Sequence, residues 1–158
     1  MIINFILDGK AIKEDIDPCL RLVDYLKLCN HDGARYGCGE GECGACSVLL
    51  NGESALSCLV LMGSLEGKNV LSIEGFKNTN QYKIIEKCFL KANAIQCGYC
   101  TPGMVMATFA LLLKKPHPTK NEIQVGLSGN LCRCTGYVAI RKAVMMAGEE
   151  NIQWTLNF

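Results

Sequence analysis

Three short segments of the sequence combine cysteines with glycines at spacings that suit metal or redox chemistry. They are GCGEGECGAC at 37–46, QCGYC at 96–100 and LCRC at 131–134. Cysteine thiolates bind zinc and iron–sulfur clusters, and they are also the nucleophiles of redox dithiols. Three kinds of site therefore have to be separated: a dithiol, a zinc site and an iron–sulfur site.

The chain contains eleven cysteines in 158 residues. Its first residues read as a strand and not as a signal peptide, so we expect a cytoplasmic protein, in which disulfides are unusual and metal binding is the more common use of clustered thiols. An odd number of cysteines leaves at least one outside any paired or fourfold site. Outside the three segments and Cys58, we expect Cys19, Cys29 and Cys88 to be packing residues.

Charge and hydropathy exclude several classes of protein. The net charge is +1 and 49% of the residues are hydrophobic, which indicates a folded chain without a basic surface for nucleic acid. The longest apolar runs, such as 107–113, are far shorter than the roughly 20 residues of a membrane span. We expect neither nucleic acid nor a membrane as a partner.

The first segment has the spacing of a plant-type 2Fe–2S site. Cys38, Cys43 and Cys46 form a C-x4-C-x2-C pattern, which needs a fourth, more distant cysteine. Glycines between these cysteines let the backbone turn its N–H groups towards sulfur. Zinc also binds four thiolates, but its sites usually combine two short C-x2-4-C segments, so we favour iron–sulfur and keep zinc as an alternative.

The fourth cysteine of this set follows from hairpin geometry. If residues 51–52, Asn-Gly, form a two-residue turn, Leu50 pairs with Glu53 and Ala45 lies opposite Cys58. The hairpin therefore predicts that Cys58 returns beside the third cysteine of the loop.

The second and third segments together predict another four-cysteine site. Cys97 and Cys100 alone would suit a dithiol, a zinc site or half of a cluster, whereas Cys132 and Cys134 supply a second pair after two predicted helices. Each pair precedes a predicted helix start, where the helix dipole favours an anionic cluster. A one-residue spacer is also unusual for zinc.

The elements that position the first set form a small α+β unit of ubiquitin-like type. Alternating and apolar runs predict strands, and a helical spacing after Asp17 and Pro18 predicts one helix. The predicted elements are a hairpin of residues 1–7 and 11–16, a helix at 19–28, a hairpin of 47–50 and 53–56, a short apolar turn or helix at 58–62, and a strand at 69–75.

The elements around the second set are all helical. The polar segment FKNTNQYK reads as a linker, and no strand pattern follows it. Helices are predicted at 81–92, at 102–114, after a capping box of Thr119 and Glu122, and at 137–147, which together make a four-helix bundle. We therefore expect two domains, 1–76 and 77–158.

Three motifs in this order, GCGEGECGACSVLLNG, QCGYCTPGM and GNLCRCTGY, resemble one known family over about residues 1–150. They are similar to the iron–sulfur subunit, or N-terminal iron–sulfur domain, of the molybdenum hydroxylases. This family includes xanthine dehydrogenase, aldehyde oxidoreductase, carbon monoxide dehydrogenase, nicotinate dehydrogenase and 4-hydroxybenzoyl-CoA reductase.

The resemblance implies a β-grasp, ferredoxin-like N-terminal domain and a helical 2Fe–2S domain that follows it. It implies one 2Fe–2S cluster in each, with the ligands Cys38, Cys43, Cys46 and Cys58 for the first and Cys97, Cys100, Cys132 and Cys134 for the second. It also implies an electron-transfer subunit of an oxidoreductase, with no catalytic residue of its own.

The remaining implications concern partners. They are a large subunit that binds molybdopterin, a medium subunit that binds FAD, and a heterotrimer that dimerises. The second cluster would lie nearer the molybdopterin, with Gln96 touching the pterin and Cys134 on the electron path. The complex would oxidise an N-heterocycle such as xanthine, or an aldehyde. Alternatives are a reductive complex such as 4-hydroxybenzoyl-CoA reductase and a structural zinc protein. Arg35 replaces a lysine of many relatives, and we expect little effect in an exposed loop.

Overall fold

The computed structural model describes residues 1–156 and shows an α+β protein. Its first half is a five-stranded sheet with the order β2-β1-β5-β3-β4, in which only the β1–β5 pair is parallel. The strands are β1 Ile2–Leu7, β2 Lys10–Asp15, β3 Ser47–Leu50, β4 Glu53–Leu56 and β5 Asn69–Leu71. The predicted α+β class is confirmed.

Both predicted hairpins are present, and each closes through a two-residue turn with positive φ at both positions. In the second hairpin Asn51 has φ 51° and Gly52 has φ 84°, values that suit Asn-Gly better than other pairs. Leu50 pairs with Glu53, as the sequence predicts. This register carries the chain from β4 back towards the first cysteine loop.

Helix α1, Leu22–Leu28, lies against one face of the sheet and buries Leu22 and Leu26 there. The predicted start near Cys19 was wrong. The Asp17 carboxylate accepts a hydrogen bond from the Cys19 N–H within a turn, and α1 begins after Arg21. Arg21, the residue before α1, forms an antiparallel β-bridge with Leu61. Leu61 directly precedes a 3₁₀ turn at Met62–Ser64.

The second half contains the predicted bundle. Its four helices are α3 Asn80–Lys91, α4 Thr101–Lys114, α5 Lys120–Gly126 and α6 Val138–Glu149, and a short helix that was not predicted, α2 Ile73–Phe76, precedes them. The predicted strand at 69–75 ends early because the Ser72 hydroxyl caps α2. The predicted polar linker is only a short turn, since Thr79 caps α3. Thr119 and Glu122 form the predicted capping box.

The sheet and the bundle share one packed interface. Because successive residues of a strand face opposite sides, β3 points Val48 towards α1 and Leu49 towards the bundle. Leu49 and Leu71 join the bundle core beside Phe109 of α4. The domain boundary after residue 76 stays a prediction, and residues 157–158 of its second domain lie outside the described residues. Within residues 1–156, no helix is long and apolar enough to cross a membrane.

Two paired sets of thiols as a candidate metal centre

The first set of thiols lies in the loop between α1 and β3 and at the end of the β3–β4 hairpin. Cys38 is exposed at the rim, Cys43 is half-buried, and Cys46 and Cys58 are buried. The Ser57 N–H donates to the Cys46 carbonyl at 3.3 Å, which extends the hairpin by one step. The prediction that Cys58 returns beside Cys46 is thereby confirmed.

Backbone N–H groups of this loop point at sulfur. The N–H groups of Glu40 and Glu42 lie 3.4 and 3.3 Å from Cys38 Sγ. These hydrogen bonds, with one from Cys43, lower the pKa of Cys38 to about 6. Burial and the neighbouring Cys46 raise the pKa of Cys58 to about 11. The loop thus stabilises anionic sulfur at its rim.

The glycines of the loop leave room for the thiols. A Cβ on Gly37 would lie 2.7 Å from Cys43 Sγ, and a Cβ on Gly41 would lie 2.5 Å from the Leu59 side chain. Gly41 also has φ 83°, which side chains disfavour. The positive φ favours glycine at position 41, and a side chain at position 37 would displace the Cys43 thiol.

The second set is assembled from two loops of the helical half. Cys97 and Cys100 immediately precede α4, and the Cys134 thiol donates to Cys97 Sγ at 3.6 Å. Two thiolates on one tetrahedral metal, each with a bond near 2.3 Å, lie about 3.8 Å apart. Burial, together with a hydrogen bond to Cys132, raises the pKa of Cys100 to about 12. Cys97 thus pairs with Cys134 and Cys100 with Cys132.

The second loop of this set precedes a helix, as predicted. Helix α6 begins at Val138, directly after the predicted start at residue 137, and Tyr137 has φ 66°. The Tyr137 hydroxyl accepts a hydrogen bond from the Cys132 N–H at 3.0 Å. Burial opposes ionisation of Cys132, but hydrogen bonds from the Thr135 hydroxyl and from backbone N–H groups lower its pKa overall.

The thiols of each set are arranged as two close pairs. Within residues 1–156, no group of three or more His, Cys, Asp or Glu side chains is placed to hold a single metal ion. Hydrogen bonds instead join Cys38 to Cys43 and Cys46 to Cys58. A two-iron cluster takes two thiolates on each iron, whereas zinc takes four on one ion. The residues therefore fit a 2Fe–2S cluster better than zinc.

The two thiol-bearing loops touch at a buried junction. The N–H of Leu131, the residue before Cys132 in the chain, donates to the Cys43 carbonyl at 2.9 Å. Asn130, only 6% exposed, donates from Nδ2 to the Gly44 carbonyl at 2.9 Å. A Cβ on Gly103 of α4 would lie 2.2 Å from that same carbonyl oxygen. Sequence reasoning missed this junction, which links residues 86 positions apart.

Two arginines bind the backbone of cysteine-bearing loops, one in the first set and one in the loop that carries Cys97. Arg21 donates to the Gly39 carbonyl at 2.9 Å, and Arg35 donates to the Gly98 carbonyl at 2.8 Å. The expectation that Arg35 lies in an exposed position was wrong, because Arg35 is half-buried and joins the first loop to the loop of Cys97, whereas the small effect expected of arginine in place of lysine stays a prediction. No local sequence signal marked Arg21.

The remaining candidate residues lie as follows. Gln96 is exposed in the loop after α3, directly before Cys97. Cys88 is buried in the bundle core and Cys29 packs against the sheet core, as predicted. Cys19 is exposed, so its predicted packing role was wrong.

Comparisons with known proteins match the two halves separately and together. Residues 5–69 match a 2Fe-2S iron-sulfur cluster binding domain, and residues 72–145 match a 2Fe-2S binding domain. The chain is 45% identical to the nicotinate dehydrogenase small FeS subunit of Eubacterium barkeri, over 93% of this chain and 94% of that protein. It is 37% identical to the xanthine dehydrogenase of Emericella nidulans over 89% of this chain, but it spans only 11% of that protein.

A solved structure is also similar. The quinoline 2-oxidoreductase of Pseudomonas putida 86 contains a chain that superposes with a TM-score of 0.87. The two are 34% identical, and the match covers 94% of each chain. The similarity therefore includes both thiol-bearing halves and their arrangement.

Proposed function

Since the chain belongs to the family of iron–sulfur small subunits of the molybdenum hydroxylases, we propose that it relays electrons between a molybdopterin centre on a large partner subunit and a flavin subunit or another acceptor. One observation carries this proposal: two sets of paired thiols meet through the hydrogen bond from Leu131 to the Cys43 carbonyl. Two binding domains for 2Fe–2S clusters match the same two halves.

We assign the ligands as the sequence predicts them. Cys38, Cys43, Cys46 and Cys58 hold one cluster, and Cys97, Cys100, Cys132 and Cys134 hold the other. When bound, a 2Fe–2S cluster exchanges one electron at a time, at a potential that the protein sets through hydrogen bonds, charge and burial. The paired arrangement of the thiols and the N–H groups around Cys38 support this assignment.

The chain itself contributes position and environment. Its buried thiols, such as Cys46 and Cys132, exclude water from one side of each set, while Cys38 and Cys134 are exposed. Each set therefore has an exposed thiol at the protein surface. This arrangement suits exchange of electrons with separate partners. We propose that the first set faces the flavin subunit and the second faces the molybdopterin subunit.

Partner contacts follow from the same assignment. Gln96 is exposed beside Cys97, where it would reach a pterin on the large subunit. A heterotrimer that dimerises and a cytoplasmic location complete the proposal, and the eleven cysteines, all free thiols within residues 1–156, suit a reducing compartment. The similar proteins named above are two dehydrogenases and a quinoline 2-oxidoreductase, which favours oxidation of an N-heterocycle or aldehyde over the reductive alternative.

Metal analysis tests the central claim. The purified chain should be red-brown and contain about four irons and four acid-labile sulfides, two of each per 2Fe–2S cluster. A colourless protein with stoichiometric zinc would overturn the proposal.

Single serine variants test the two ligand sets. Cys43→Ser should remove one EPR signal of the reduced protein and Cys134→Ser the other, since each set holds its own cluster. Cys19→Ser, at an exposed cysteine outside both sets, is the matched control and should keep both signals. If either ligand variant abolished both signals, the chain would hold one shared site.

A glutamine variant tests the partner contact. Gln96→Ala should slow electron entry from the large subunit in the reconstituted complex, while iron content stays unchanged. Gln124→Ala, at an exposed glutamine of α5, serves as the control. Equal turnover of the two variants and the wild type would refute the role of Gln96.

A further inference from the structure

Arg21 and Arg35 bind the loops that carry Cys38 and Cys97 at equivalent backbone positions. Arg21 Nη1 donates to the carbonyl oxygen of Gly39 at 2.9 Å, and Arg35 Nη1 donates to that of Gly98 at 2.8 Å. Each glycine directly follows the first cysteine of its set, and their φ angles are 74° and 77°. The two loops therefore share one local arrangement although they lie in different folds.

The peptide unit that each arginine binds also faces a cysteine. The Gly39 carbonyl shares its peptide with the Glu40 N–H, which lies 3.4 Å from Cys38 Sγ. The Gly98 carbonyl likewise shares its peptide with the Tyr99 N–H, which hydrogen-bonds the Cys97 sulfur. In a planar trans peptide the C=O and N–H groups point in opposite directions. An arginine on the carbonyl therefore turns the N–H towards sulfur.

We propose that Arg21 and Arg35 are positioning residues that raise the reduction potentials of the two clusters, Arg21 for the first and Arg35 for the second. This inference rests on the proposed function, because it takes both thiol sets as cluster ligands. Hydrogen bonds to sulfur and nearby positive charge stabilise the reduced, more anionic cluster. A cation on the carbonyl also polarises the peptide and strengthens its N–H as a donor.

Arg35 should have the larger effect of the two. Its Nη1 donates to the Tyr99 carbonyl at 3.1 Å in addition to Gly98, and its guanidinium lies 5.3 Å from the centre of the Tyr99 ring. Arg35 is half-buried, whereas Arg21 is exposed. Solvent screens the charge of an exposed group more strongly, so the field of Arg21 at its cluster is weaker.

Potentiometric titration followed by EPR tests the inference on the full chain with both clusters in place. Arg35→Met should lower the potential of the second cluster only, with about a tenfold fall in its ratio of reduced to oxidised form, or about 59 mV for one electron. Arg21→Met should lower that of the first cluster only, by less. Each variant is the control for the other, and Cys43→Ser and Cys134→Ser assign the signals.

Lysine variants separate charge from geometry. Arg21→Lys and Arg35→Lys keep the charge without the planar guanidinium, so they should shift the same signal less than the methionine variants do. If a methionine variant fails to bind iron, the lysine variant at the same position tests the inference. The reduction potential of its cluster should then be lower than that of the wild type. Loss of iron from the lysine variant as well would overturn the inference, since the arginine would then be needed for assembly.

Two further results would also overturn it: potentials that do not move, or equal shifts of both signals in one variant. A wild-type chain without iron would refute the proposed function itself. If the wild type holds two clusters but their potentials stay the same in both arginine variants, only this inference is refuted.

Discussion

Replacing Gly103 by alanine should weaken the junction between the two thiol-bearing loops. The new Cβ would lie 2.2 Å from the Gly44 carbonyl oxygen and 3.2 Å from Ala45 Cα, both of which are backbone atoms. A rotamer change cannot relieve this contact, so either α4 or the first loop has to move. The Gly44 carbonyl also accepts hydrogen bonds from Asn130 and from the Ser47 hydroxyl, and its movement would strain both.

Three contributions set the size of the effect. Overpacking of a tight contact typically costs about 1–3 kcal/mol. Each of the two hydrogen bonds to Gly44 contributes about 0.5–1.5 kcal/mol net. Alanine is favoured over glycine in a helix by about 1 kcal/mol, which offsets part of the loss. The free energy of unfolding should therefore fall by about 1–5 kcal/mol for Gly103→Ala.

The assay is urea unfolding of the iron-loaded chain, followed by circular dichroism, with iron content measured in parallel. Gly129→Ala is the matched control, because no atom lies within 4 Å of its Cβ position. That variant should leave stability unchanged or raise it by about 0.4–1 kcal/mol, through a less flexible unfolded chain. If Gly103→Ala gained stability as Gly129→Ala does, the close approach of α4 to the first loop would be refuted.

Three other variants test the core, a helix cap and a spare cysteine. Phe109→Ala should lower the free energy of unfolding by about 3–5 kcal/mol, because Phe109 is buried and its ring centre lies 4.1 Å from that of Phe76. Leu90→Ala, at an exposed position, is the control and should change the free energy of unfolding by less than about 0.5 kcal/mol in the same urea titration. Thr119→Ala should cost about 1 kcal/mol through loss of the α5 cap, and an unchanged urea midpoint would contradict that role. Cys88→Ala should keep the full iron content in metal analysis, and loss of iron would show that this core thiol is a ligand.

Local signals account for the elements that the sequence predicted well. The Asn-Gly turn at 51–52 needs positive φ at both residues, and this requirement alone sets the register that returns Cys58 to Cys46. The capping box before α5 depends on residues three positions apart. Such signals lie within a few residues of the chain, so they can be found without the fold.

Tertiary contacts account for the errors. The start of α1 moved to Leu22 because Arg21 bridges to Leu61, forty residues away in the chain. There the propensity of the segment for helix was outweighed by a β-bridge outside the helix.

By itself, the sequence determined the ends of the hairpin and predicted which cysteines form each set, because both depend on spacing along the chain. Only the tertiary structure decided how the two sets meet and what surrounds them. Asn130 reaches Gly44 across 86 positions, and Arg35 reaches Gly98 across 63. No local pattern encodes such contacts, since they exist only after β3 packs against the bundle and brings the two loops together.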